Sequence, residues 1–228
     1  MAATLTDAQL EELKTFDSAT IANAIEPFKV RDQTLGYVGS NVRALFPNKT
    51  EPMVGYAVTA KGDSTTYARR RDPALQFGLW EAMDESPRPS VVVVQDAGNN
   101  PSKSCHCGDV MGTLIRALGG IGLVTDGGVR DLPEVEDLGL HYFARGPVVA
   151  HGTAVIYDAG EPVVIDGVPI QTGDLLHGDV NGLVVIPSEI AGEVSDAARE
   201  VIADETRRKE FAASPEFTLE GYRKLLGL

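Results

Sequence analysis

Two carboxylates and a guanidinium, those of Asp109, Asp131 and Arg130, frame the stretch GDVMGTLIRALGGIGLVTDGGVRD that runs from Gly108 to Asp131. Asp109 stands in a glycine-led loop directly ahead of VMGTLIRAL, an apolar run with helical period. Arg130 and Asp131 close a second glycine loop, DGGVRD, which follows the buried-strand pattern IGLVT. A helix and a strand folded back on one another would bring both loops to one rim. The first-turn N–H groups of Gly108, Asp109, Val110 and Met111 would then add the positive end of a helix dipole. Such a set suits a small anionic substrate held beside a hard divalent cation, with oxygen ligands for the ion and an arginine fork for a substrate carboxylate.

Each of these residues also has a purely structural reading. Asp109 is a good N-cap for the helix it precedes. Asp131-Leu132-Pro133-Glu134 has the form of a capping box with proline in the first turn, so Asp131 could simply start the next helix. Against that, Gly127 and Gly128 allow close backbone approach by a ligand at the carboxyl end of a buried strand, where sites cluster in open α/β sheets. Asp126 ends that strand and supplies a third carboxylate within reach.

Other motifs carry less. Cys105-His106-Cys107 invites a zinc site completed by His141, His151 or His177, but C-x-C is not the usual spacing and no second cysteine pair exists. A loop with two incidental thiols is the preferred reading. The glycines of GGIG at 119–122 follow a helix and enter a strand, the reverse of the order a dinucleotide fingerprint needs. No G-x-S-x-G or phosphate-loop motif is present.

The elements that must position this stretch follow from patterning. Thr6 or Asp7 caps a first helix, AQLEELKTF, and Asp17, Ser18 and Thr20 precede a second that Pro27 stops. GYVGSNVRALFP and VGYAVTAKG alternate as strands. A helix runs from Pro73 to Met83 with Leu75, Leu79 and Trp80 on one face. SVVVVQD is β-branched throughout and predicts a strand buried on both faces. From there the order is strand, helix, strand, helix (LPEVEDLG), strand (HYFARG), which predicts a parallel βαβαβ half. AVIYD, EPVVIDGVPI, DLLHGD and GLVVIP, divided by Asp-Gly, Thr-Gly and Asn-Gly turns, predict a β-rich half. A long helix from Ser188 to Ala212 closes the chain. With no repeat, low-complexity tract or linker, residues 1–228 read as one α/β domain.

Composition narrows the function. The 228 residues carry a net charge of −13, so nucleic acid is not an expected partner; Arg69, Arg70 and Arg71 form the one basic run and read as a solvated or interface-pairing face. No stretch is apolar enough to span a membrane and the first residues lack a signal-peptide pattern, so a cytoplasmic protein is expected, as two lone cysteines also suggest.

Asp109, twenty intervening residues and then Arg130-Asp131 resembles the D-x20-R-D signature of the RraA-like family. DGGVRD, YFARG and VVIDGVPIQTGDLLHGDVNGLVVIP follow in the family's order, and SATIANAI resembles its N-terminal helix motif, so the resemblance covers roughly residues 16–210. Two features depart from it: Asn23 stands where many members have Asp, and SKSCHCG is unusual ahead of the Gly-Asp pair. The resemblance implies a swivelling β/β/α sandwich, assembled as a homotrimer or a dimer of trimers with sites at subunit interfaces. The family includes class II pyruvate aldolases acting on 4-hydroxy-4-methyl-2-oxoglutarate and 4-carboxy-4-hydroxy-2-oxoadipate. It also includes RraA itself, which binds and inhibits ribonuclease E, and this regulator role is the alternative expectation.

On the aldolase reading, the resemblance implies Mg²⁺ or Mn²⁺ on Asp131, with several waters kept. A 2-oxo acid substrate would pair with Arg130, and the N–H groups of Gly108, Asp109, Val110 and Met111 would hold its carboxylate. Asp109 would orient the water that moves the 4-hydroxyl proton. The products would be pyruvate and a second oxo acid, and oxaloacetate decarboxylation would pass through the same enolate. On the closing helix the apolar stripe Ile190, Val194, Ala197, Val201 leads to Glu205. That carboxylate either ends the stripe at solvent or, as the resemblance implies, reaches a neighbouring subunit's metal through water.

Overall fold

β2 (Met53–Asp63) is the strand on which the fold is assembled, and ten of its eleven residues are buried. In the computed structural model, which describes residues 4–68 and 72–228, β2 pairs on one side with β3 (Ser90–Asp96) and on the other with β9 (Leu175–Asp179). The Arg69–Arg71 run lies outside the described residues. β2, β3, β4 (Gly120–Thr125) and β5 (His141–Ala144) are all parallel. Their crossovers are α3 (Pro73–Glu85), α4 (Asp109–Ala117) and α5 (Leu132–Asp137). The expected βαβαβ unit is present and extended by one βα step at its start.

The β-rich segment does not form a separate half. β9 and β10 (Gly182–Ile186) continue the same sheet past β2, β6 (Val155–Tyr157) pairs with the far end of β2, and β1 (Arg43–Ala44) pairs antiparallel with β5. The result is an eight-stranded mixed sheet in the order β1-β5-β4-β3-β2-β9-β10, with β6 off that path. Only β7 (Val163–Ile165) and β8 (Val168–Ile170) stand apart. They form a hairpin whose turn residues Asp166 and Gly167 both have positive φ, 45° and 87°, as a tight hairpin turn of right-handed strands requires.

Helices cover the sheet in two groups. α3, α4 and α5 pack Leu79, Met83, Ile115 and Val135 against Val92, Val94 and Leu123. At the other end α1 (Asp7–Leu13), α2 (Ser18–Ile25) and α6 (Val194–Ala213) enclose Leu10, Ile21 and Val194 with Val54 and Val184. Thr6 caps α1 in a reciprocal capping box with Gln9, and Asp17 caps α2. The β7–β8 hairpin closes a third apolar cluster around Val91, Val93 and Phe143.

Three expectations change. The alternating segment GYVGSNVRALFP forms no continuous strand: Tyr37 bridges Val184, a turn returns Val42 N–H to Gly39 O, and only Arg43–Ala44 pairs again. The closing helix begins at Val194, because residues 188–193 form turns with three-residue spacing, Ile190 N–H to Pro187 O and Glu193 N–H to Ile190 O. After α6 a further helix, α7 (Leu219–Leu225), folds back so that Tyr222 stacks on Phe211. In α3, Leu79 is buried, whereas Leu75 is exposed. No helix among the described residues is long and apolar enough to cross a membrane.

Candidate active site

The loop before α4 and the loop after β4 are laced together by backbone hydrogen bonds. His106 N–H donates to Gly128 O at 2.9 Å, and Arg130 N–H donates to Cys107 O at 2.9 Å. This short ladder sets Gly108 and Asp109 against Arg130 and Asp131, so the two ends of the signature meet as expected.

The carboxylates adopt neither of their local capping roles. Gly108 is the N-cap of α4 and Asp109 its first residue; Asp109 Oδ1 accepts only the N–H of Val110, at 2.8 Å. Asp131 precedes α5 with φ of 56°, a left-handed conformation that Asp tolerates better than most residues, and makes no side-chain cap there. Its Oδ2 instead accepts the backbone N–H of Asp109 at 3.1 Å and pairs with Arg130 Nε at 3.2 Å. Two carboxylates, those of Asp109 and Asp131, therefore meet the positive end of α4. Gly108 is required by this arrangement: a Cβ there would collide with Asp131 Oδ2 and stand 2.9 Å from Arg130 Nε.

Donors remain open at this end. Among the described residues, Gly108 N–H and Met111 N–H have no protein acceptor, and the terminal nitrogens of Arg130 have no protein partner. Of the four N–H groups expected to hold an anion, those of Asp109 and Val110 are already taken by carboxylates. Arg130 and Asp131 are both half-buried.

Gly108, Asp109, Met111 and Arg130 line a cleft of about 450 Å³, and Asp131 is joined to it through Arg130. Phe77 and Trp80 of α3, Val110 and Leu114 of α4 and Ile156 of β6 also line it, together with the polar side chains of Gln76 and His151.

The Cys105-His106-Cys107 loop is not arranged to bind metal. His106 Nε2 lies 2.6 Å from Asp96 Oδ2, with both side chains almost wholly buried. Burial pushes the Cys105 thiol up and the Cys107 thiol up to about 12, so neither is a ready thiolate. Of the other histidines, His177 bonds Ser18 and Leu13 O, burial lowers His141 to about 3, and His151 is exposed and lines the same cleft, its Nδ1 beside Gly152 O. A Cβ at Gly127 would collide with Ser104 Oγ and stand 2.7 Å from the His106 ring, which is reason enough for glycine there. Asp126 turns away from Asp131 and accepts Asp96 N–H at 2.6 Å, and burial raises its pKa.

The Asp96–His106 pair is a feature the sequence reading missed. Burial opposes the charge on Asp96, yet hydrogen bonds from His106 and Ser104 hold its carboxyl below the usual range. The available signal was an Asp ending a fully buried strand at its carboxyl edge.

Glu205 does not line the cleft. It lies on α6, where its Oε2 meets Lys209 Nζ at 2.8 Å and its Oε1 accepts Asn23 Nδ2 at 3.4 Å. An Asp at position 23 could not donate in this way, so the departure at Asn23 is matched to Glu205.

A family model described as RraA-like, Aldolase/RraA, matches residues 2–185. A Halalkalibacterium halodurans protein, provisionally named 4-hydroxy-4-methyl-2-oxoglutarate aldolase, is 25% identical over 93% of this chain and 92% of its own. An uncharacterised protein from Pseudomonas syringae pv. tomato superposes with a TM-score of 0.72 at 28% identity, covering 97% of this chain and 99% of its own. Streptomyces coelicolor RraAS2, described as an unusual member of the RNase ES inhibitor RraA protein family, gives a TM-score of 0.70 at 25% identity over 91% of this chain and 98% of its own.

Proposed function

The chain belongs to the RraA-like family, and on that footing we propose that it is a divalent-metal-dependent carbon–carbon lyase. Its substrate is a 4-hydroxy-2-oxo acid of the 4-hydroxy-4-methyl-2-oxoglutarate type, cleaved to pyruvate and a second oxo acid. Oxaloacetate decarboxylation runs through the same enolate. The observation that carries this reading is the Arg130–Asp131 pair seated on the Asp109 N–H, with Arg130 and Asp109 lining the cleft.

The donor set limits the ion. Among the described residues no group of three or more His, Cys, Asp and Glu is placed to hold a metal, which does not fit a structural zinc site. Among the described residues Asp131 Oδ1 has no protein partner, and one or two carboxylates suffice for Mg²⁺ or Mn²⁺, which keep most of their water. Asp131 would hold the ion, and Glu205 of an adjoining subunit in a homotrimer or dimer of trimers would steady it through water. When bound, the ion supplies Lewis-acid polarisation of the 2-oxo group.

The chain's own residues do the rest. The free terminal nitrogens of Arg130 form a fork that fits a carboxylate and meets the negative charge growing on the enolate oxygen. The open N–H groups of Gly108 and Met111 hold a second carboxylate oxygen. Asp109, half-buried in the lining of the cleft, orients the water that removes the 4-hydroxyl proton and returns one to the enolate carbon. Pyruvate release from oxaloacetate and from 4-hydroxy-2-oxo acids, measured with Mg²⁺ and with EDTA, tests the proposal.

The likeness to RraAS2 favours a second reading, inhibitory binding to a ribonuclease without turnover. That reading predicts ribonuclease binding and no pyruvate from any substrate under either condition.

A further inference from the structure

Asp96 and His106 form a buried pair that the proposed chemistry does not touch. Asp96 ends β3 at the carboxyl edge of the parallel strands, and its Oδ1 accepts Gly98 N–H at 3.0 Å. Its Oδ2 is left for His106 Nε2, which donates to it at 2.6 Å. The ring occupies a slot between two glycines. A Cβ at Gly62, near the end of β2, would stand 2.5 Å from its Nδ1, and one at Gly127, just after β4, 2.7 Å from its Cδ2. His106 thus reaches the ends of three adjacent strands from the loop that leads into α4.

The backbone of the same loop sets the rim of the cleft. His106 N–H bonds Gly128 O, and the next rung joins Arg130 N–H to Cys107 O. Gly108 and Asp109 follow directly, and the Asp109 N–H meets Asp131. How deeply the ring sits in its slot therefore decides where the start of α4 stands against Arg130 and Asp131. The His106 side chain is only 1% exposed, so it acts through the loop and not on substrate.

Resting on the lyase reading, we propose that Asp96 and His106 are positioning residues. Their buried hydrogen bond rivets the loop ahead of α4 to the strand ends and holds Gly108 and Asp109 in register with Arg130 and Asp131. The unusual SKSCHCG segment thus serves the site through its histidine rather than through a bound metal. Partners that orient the groups of a metal site from behind carry about tenfold to a hundredfold in activity.

The test compares the full parent chain with His106→Ala, His106→Gln and Gly62→Ala. It reads kcat and KM for oxaloacetate and a panel of 4-hydroxy-2-oxo acids with Mg²⁺, and hydrogen–deuterium exchange of the same chains without metal. His106→Ala should lower kcat about tenfold or more while KM rises less than about threefold, because misalignment costs most in the transition state. His106→Gln, whose amide can donate to Asp96, should recover most of that loss. In His106→Ala the segments 104–112 and 127–131 should exchange about tenfold faster or more, with α1 and α2 unchanged. Gly62→Ala should lower kcat by displacing the ring, yet add little in the His106→Ala background, where the slot is vacant. Native kcat in His106→Ala, with only a lower melting temperature, overturns the proposal and leaves the lyase reading standing. Should His106→Ala fail to fold, native kcat and native exchange in Gly62→Ala overturn it equally. No pyruvate from the parent, oxaloacetate included, overturns the lyase reading; unchanged exchange at 104–112 and 127–131 then overturns the positioning of the rim as well.

Discussion

The Asp131 carboxylate accepts the backbone N–H of Asp109 at 3.1 Å, although Asp131 immediately precedes a helix of its own. One side chain thus joins two loops separated by a helix and a strand. It satisfies a helix-start donor and also pairs with Arg130, which lines the cleft. The predictions below separate these structural and chemical roles.

Asp131→Asn keeps an oxygen acceptor for the Asp109 N–H, and Asn tolerates the left-handed conformation at φ of 56°. Its thermal stability should stay within about 0.5 kcal/mol of the parent. Pyruvate release should nevertheless fall to background, and Mg²⁺ should no longer raise the melting temperature. Asp131→Ala should lose the same activity and in addition about 1 kcal/mol of stability, through the lost helix-start hydrogen bond.

Arg130→Lys preserves the charge but not the fork. Turnover should drop about a hundredfold with the fold intact, as for removal of one donor aimed at developing charge. A variant within a few-fold of the parent would assign Arg130 to structure alone.

Gly108→Ala places a methyl group against Asp131 Oδ2 and Arg130 Nε. The carboxylate must leave the Asp109 N–H, so activity and Mg²⁺-dependent stabilisation should fall together. Circular dichroism would show whether α4 survives, and the account requires that it does.

Asp126→Asn tests the buried carboxylate beside the site. Burial raises the folded-state pKa of Asp126 above its ordinary 3.8. Its stabilising contribution is therefore present while it is protonated and is lost as pH rises through the folded value. Asn keeps the hydrogen bond from Asp96 N–H without the charge. The melting temperature of the variant relative to the parent should rise as pH increases from about 4. A constant difference across pH would contradict the assignment.

Glu205→Gln should weaken turnover about tenfold or more while assembly persists. Oligomers mixed from Glu205→Gln and Asp131→Ala chains should recover activity, since some interfaces would then hold both native residues. Recovery of nothing, with each variant assembled, would remove Glu205 from the site.

Much of the framework was legible because it rests on local pattern. SVVVVQD could only be a strand buried on both faces, and the alternating strand and helix signals gave the parallel order. The convergence of Asp109 with Arg130 and Asp131 followed from one αβ unit. What stayed hidden were choices among distant partners. Asp131 and Glu134 have the form of a capping box, and nothing local reveals that the Asp109 N–H wins instead. β9 and β10 have ordinary strand patterns that do not say which edge they join. His106 stood beside two cysteines and read as a zinc candidate, whereas its partner is Asp96, ten residues earlier. The delayed start of α6 reflects turns that satisfy the same N–H groups with a shorter spacing.

The most direct measurement is pyruvate release by the purified full chain from oxaloacetate and the 4-hydroxy-2-oxo acid panel, with Mg²⁺ and then with excess EDTA. The account predicts metal-dependent pyruvate that EDTA abolishes, that added Mg²⁺ restores, and that Asp131→Asn eliminates. Pyruvate formation indifferent to EDTA, or retained by Asp131→Asn, would contradict it.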